Sequence, residues 1–162
     1  MTQLIEDSKQ PQLKSLATFK PARILDLRVE EVEREWKDEW LELRKQGDLF
    51  AGSQGQVGAP IPKLPYKFKY RLEDEDGRES NLMIEDWEIG ALYWNCLRQA
   101  EGGEDEDEAI AKVREKYLDT FIKKDLHLFL GTTQRYHGVA PNPFVIVGVF
   151  YPPVEYQMGL FE

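Results

Sequence analysis

Residues 125–153 read DLHLFLGTTQRYHGVAPNPFVIVGVFYPP. Two nearly continuous apolar runs, LHLFL at 126–130 and FVIVGVFY at 144–151, flank a polar loop. Short apolar runs of this kind, bounded by Gly and Pro, read as strands covered on both faces or central in a sheet. The loop between them carries Gly131, Thr132, Thr133 and His137. As an active site it would use His137 as a general base or phosphate contact, with the two threonines as hydroxyl partners. Histidine chemistry needs a carboxylate or carbonyl to fix the tautomer and a pocket to shift the pKa. The segment has no G-x-S-x-G elbow and no glycine pattern long enough to wrap a phosphate. Asn142, between Pro141 and Pro143, suits a rigid turn. The loop is therefore read as a connection between two buried strands.

Working outward, YKFKYRLE at 66–73 is the cleanest strand signal, with Tyr66, Phe68, Tyr70 and Leu72 alternating against Lys67, Lys69 and Arg71. The acidic turn EDEDGRES follows, with Asp76-Gly77 at its tip, and then NLMIED, so the segment reads as a hairpin. A strand with period two is expected over residues 22–30, where Leu25, Leu27 and Val29 oppose Asp26, Arg28 and Glu30. Val32, Trp36, Trp40 and Leu43 then mark one stripe of an amphipathic helix ending near Gly47. Both tryptophans read as core, with an interface anchor as the other reading. IEDWEIGALYWNCLRQA, from about Glu85, reads as a long helix buried on more than one side. After EGGEDEDE at 101–108, a further helix presents Ile110, Val113, Tyr117, Leu118, Phe121 and Ile122 on one face. The acids at 104–108 suit its N-terminal dipole.

The expected fold is α+β: a mainly antiparallel sheet of about five strands packed against about three helices. Residues 1–20 read as a mobile arm, 21–153 as a single α+β domain with a flexible loop near 50–65, and 154–162 as a C-terminal tail. A length of 162 residues suffices for one core without staples. The single cysteine, Cys96, leaves no disulfide framework and no cysteine zinc site. No apolar run reaches the roughly 18 residues that span a bilayer, and residues 1–10 are too polar for a signal peptide. A cytoplasmic protein without membrane contact is expected. Its net charge of −9 weighs against broad binding to nucleic acid and favours solubility or docking on a basic partner.

The blocks MIEDWE, DLHLFLGT and VGVFYPP, with KLPYKFKYRL and REKYL between and before them, carry a likeness. From about Leu16 to Pro153 the chain resembles the C-terminal part of a family of uncharacterised bacterial proteins. That likeness implies no catalytic residues. Members of the family are longer, with a further domain ahead of this region, where this chain has a short polar arm. They also often carry a Cys-x4-Cys-x2-His pattern in the hairpin before MIEDWE, suited to zinc. Here the matching positions are Leu72, Gly77 and Ser80, so no zinc is carried over, and neither a metal nor a cofactor is expected.

Three chemistries remain to weigh. Glu85, Asp86 and Glu88, joined in space by Asp125 or His127, would suit a small metal-dependent hydrolase. Against this, Asp86 stands where a helix should begin and reads as a cap, while His127 in an apolar run reads as a core hydrogen-bonding group. Lys67, Lys69 and Arg71 form a cationic strand face with neighbours about 7 Å apart. It either contacts a phosphate backbone or acidic protein, or pairs across the hairpin with acids such as Glu79 and Glu85. The aromatic residues behind it read as core and not as a base-stacking platform. The reading adopted is a non-enzymatic accessory or adaptor subunit that docks on a larger bacterial protein assembly, such as a nucleic-acid-processing or defence complex. A nucleic-acid-contacting module using Lys67, Lys69 and Arg71 is the alternative, and the hydrolase a second one.

Overall fold

The alternation at residues 66–73 forms a strand whose buried members are Phe68, Tyr70 and Leu72. The computed structural model describes residues 1–9, 11–36, 62–100 and 105–154. In chain order these form α1 (Thr2–Asp7), β1 (Leu16–Phe19), β2 (Arg23–Glu31), β3 (Tyr66–Glu73), β4 (Glu79–Met83), α2 (Trp87–Gln99) and α3 (Glu106–Arg114). A π-helical segment (Glu115–Thr120), a 3-10 turn (Phe121–Lys123), β5 (His127–Thr132) and β6 (Phe144–Phe150) follow. The chain divides into two units, Met1–Val29 with Phe68–Glu162, and Glu30–Lys67. Among the described residues no helix is long and apolar enough to cross a membrane.

The fold is α+β, but its strands make two three-stranded sheets, β1-β5-β6 and β2-β3-β4, and not a single sheet of five. In the second sheet, β3 and β4 pair antiparallel from Lys69↔Met83 to Glu73↔Glu79. Between β2 and β3, the Ala22 N–H donates to the Glu73 carbonyl and the Val32 N–H to the Pro65 carbonyl. Partner numbers fall as the chain advances, so that pair is antiparallel as well. The β3–β4 turn is held by Asp74, whose carboxylate accepts from the Arg78 and Asp76 N–H groups at 2.9 and 3.1 Å. Gly77 supplies φ +75° at its tip, a conformation that L side chains rarely adopt.

In the first sheet, β1 pairs antiparallel with β5, and β5 with β6. Residues 1–20, read from sequence as a mobile arm, thus contain α1 and an edge strand. The two sheets meet where Ile84 forms a parallel bridge with Ile146 and the Glu85 N–H donates to the Ile146 carbonyl at 2.7 Å.

On α2, Ile89, Tyr93 and Leu97 are buried at intervals of four, Leu92, Trp94 and Cys96 are half-buried beside them, and Trp87 is exposed. Ala109, Val113, Tyr117 and Phe121 continue the same interval through α3 and the π-helical segment. An α-helix of about 3.6 residues per turn drifts from a strict repeat of four, and the wider i→i+5 turn takes up that drift. Of the face expected here, Ile122 is exposed and does not join the core. Arg114 ties α3 to β2, donating to the Leu27 carbonyl and to Asp26 Oδ1 at 3.1 Å.

In the unit Glu30–Lys67, residues 32–36 are not helical and include a bend at Arg34 and Glu35. The remainder of the predicted stripe, Trp40 and Leu43, and residues 50–61 of the expected loop lie outside the described residues, as do residues 155–162 of the tail. Lys63 Nζ donates to the Glu35 carbonyl at 2.9 Å.

Candidate docking face

Strand pairing sorts the β1-β5-β6 residues by face, because directly opposed side chains lie on the same side. Phe19 with Leu128, and Leu130 with Ile146, turn inward and are buried. Leu16 opposes Gly131, Thr18 opposes Phe129, Phe129 opposes Gly148, and His127 opposes Phe150, all on the outer side. The pairing steps from Phe129↔Gly148 to Leu130↔Ile146, which leaves Val147 as the extra residue of a β-bulge. Val147 leans over Gly131: a Cβ there would lie 3.0 Å from Val147 Cγ1 and 3.6 Å from Leu16 Cδ2. Phe129 likewise covers Gly148, at 3.4 Å from the position of a Cβ.

The result is a low apolar surface that the described residues leave in water. Leu16 is 71% exposed, Phe129 45%, Val147 46% and Phe150 53%. Single exposed apolar residues are ordinary, whereas a contiguous set on one sheet face makes it a candidate interaction surface. The sequence reading missed it because FVIVGVFY looks uniformly buried. The signal that could have exposed it was the pair of glycines, Gly131 and Gly148, which a covered strand has little use for.

Lys67 is exposed and makes no ion pair among the described residues, while Lys69 and Arg71 are half-buried. Arg71 Nε lies 3.9 Å from Glu79 Oε2, so Arg71 makes the cross-hairpin pairing weighed above. Asp86 caps α2, accepting from the Glu88 N–H at 3.0 Å. Asp86→Ala is expected to destabilise the fold by about 1 kcal/mol, measured by urea unfolding, as for other lost N-caps. Asp86→Asn should restore most of it. Among the described residues no group of three His, Cys, Asp or Glu side chains is placed to hold a metal ion.

Both histidines have partners. His137 Nδ1 lies 2.9 Å from Thr132 Oγ1 within a chain of turns, and Gly138 beside it has φ +71°. Asn142 Oδ1 accepts from the Phe144 N–H at 3.1 Å and closes the connection onto β6. His127 Nε2 is 3.2 Å from Asp125 Oδ2, and Lys20 Nζ is 2.5 Å from Asp125 Oδ1. Lys20 first, then His127, holds the Asp125 carboxyl below its ordinary range. This Lys20–Asp125–His127 chain joins residues that no local motif in the sequence links.

A family model described as Domain of unknown function (DUF8757) matches residues 1–162. The chain belongs to that family. No curated protein and no solved structure matches this DUF8757 domain.

Proposed function

We propose that this DUF8757 domain is a non-enzymatic adaptor that docks on a larger bacterial protein through the outer face of β1-β5-β6, in the cytoplasm. What carries the reading is the contiguous exposure of Leu16, Phe129, Val147 and Phe150 across three paired strands. The bulge at Val147 and the two glycines keep that face low, which lets a partner's surface approach the strands closely. A net charge of −9 elsewhere on the chain steers it toward a basic partner without placing charge in the contact itself.

Affinity capture with the tagged full chain from its native host tests this. One stoichiometric partner is expected, lost with Phe129→Asp, which should weaken binding by at least about 100-fold as a central anchor does. Phe129 is half exposed, so the variant should retain its fold by circular dichroism. Retention of the partner by a folded Phe129→Asp variant would overturn the proposed face. If Lys67→Glu/Lys69→Glu/Arg71→Glu, and not Phe129→Asp, releases the partner, the cationic strand is the contact instead.

A further inference from the structure

A groove of about 420 Å³ opens beside the β1–β2 connection, where residues 20–24 face residues 122–126 ahead of β5. Its polar lining is Lys20, Arg23, Lys124 and one carboxylate, Asp125. Three cations against one anion reverse the sign of a chain that carries −9 in all. Ile24 and Leu126 add an apolar part. The size falls in the range of about 300–1,000 Å³ usual for small-molecule sites.

The cations are held by different means. Lys20 is pinned by Asp125 at 2.5 Å, and Asp125 is steadied from its other oxygen by His127. Arg23 uses Nη2 to reach Glu73 Oε2 at 2.9 Å, and a guanidinium has further N–H donors to offer. Lys124 makes no ion pair among the described residues. A π-helical segment and a 3-10 turn lead directly into this wall, and π turns within helices recur at functional sites.

The geometry points to a binding site for a small organic phosphate monoester in this groove, with the phosphate on Lys20, Arg23 and Lys124 and the carbon body against Ile24 and Leu126. With Glu73, which Arg23 reaches, counted beside Asp125, the three cations leave a net charge of about +1, opposite in sign to the roughly −1.5 to −2 that a phosphate monoester carries near neutral pH. Arginine and lysine together provide both the forked and the point-charge contacts that phosphates take. None of Leu16, Phe129, Val147 and Phe150 lines this groove, and the assignment does not depend on the docking face proposed above.

Calorimetric and NMR titrations of the full chain with phenyl phosphate and with AMP test the assignment. At least one should bind saturably and shift the amide signals of Arg23, Lys124 and Asp125. Phenol, adenosine and inorganic phosphate, each holding half of the recognition, should bind at least about tenfold more weakly. The exposed pair Arg23→Gln/Lys124→Gln should lose about 100-fold in affinity for the ester that binds, about tenfold for each charged contact. The proposal is overturned if neither ester saturates by about 5 mM, if phenol or adenosine binds as tightly as its ester, or if the folded double variant binds unchanged. None of these results would alter capture of a partner by the apolar face.

Discussion

Tyr70→Ala is expected to destabilise the protein by about 3–5 kcal/mol, the cost of truncating a buried aromatic ring. Tyr70 stands on β3 with no exposed surface, and its hydroxyl donates to the Tyr117 carbonyl at 2.5 Å. Tyr117 in turn packs on Phe121 with ring centroids 4.8 Å apart, and Phe121 stacks on Tyr151 at 3.9 Å. One side chain therefore links the sheet to the π-helical segment and the aromatic cluster behind it. Tyr70→Phe keeps the ring and removes only the donor, which should cost about 1–3 kcal/mol because the Tyr117 carbonyl loses its buried partner. Urea unfolding of the two variants separates packing from hydrogen bonding; equal losses would show that the ring contributes nothing beyond its hydroxyl, and an unchanged Tyr70→Phe that the hydroxyl contributes nothing.

The same tyrosines make stability fall at high pH. Burial, and next the neighbouring Tyr117, raise the Tyr70 hydroxyl above its ordinary 10.0. Burial first, then the Asp86 and Glu88 carboxylates, raise Tyr117 in the same direction. Above pH 10 the unfolded chain therefore releases protons that the folded chain retains. The contribution is complete below that pH and is lost as pH rises toward the folded values. Unfolding free energy should decline from about pH 10 upward, and less steeply in Tyr70→Phe. Identical slopes in the two proteins would assign the decline to other groups.

Ile146→Ala is expected to cost about 2–5 kcal/mol, and Ile146→Val only about 0.5–1.5 kcal/mol. Ile146 has no exposed surface, opposes Leu130 in β5 and bridges to Ile84 across the junction of the two sheets. Its carbonyl also receives the Glu85 N–H. A cavity at this point loosens the only bridge the described residues place between the sheets. In Ile146→Ala, hydrogen exchange at the Glu85 amide should accelerate beyond the global loss of stability, while amides in the middle of β3–β4 follow that loss alone. Uniform acceleration across both sheets would show that the junction opens only with the whole fold.

Much of this architecture is legible from local pattern. The alternation of Phe68, Tyr70 and Leu72, the Asp76-Gly77 turn, the Asp86 cap and the apolar runs of β5 and β6 each follow from the preferences of neighbouring residues. Of the candidate site, far less could be read. Leu16 through Phe19 has no alternating pattern, and becomes a strand because β5 offers it an unpaired edge. The outward set Leu16, Phe129, Val147 and Phe150 belongs to one surface only after three strands are aligned and a bulge shifts the period at Val147. Lys20, Asp125 and His127 likewise become neighbours by chain topology.

The order of the central hairpin, the helices after it and the last two strands was determined by the sequence itself, through side-chain periodicity and turn chemistry that act over a few residues. The division into two sheets, the exposed apolar face and the cationic groove were decided only by the tertiary structure. Hydrogen bonds and burial between distant segments settle which edge a strand takes and which side chains remain in water, and no local pattern carries that information.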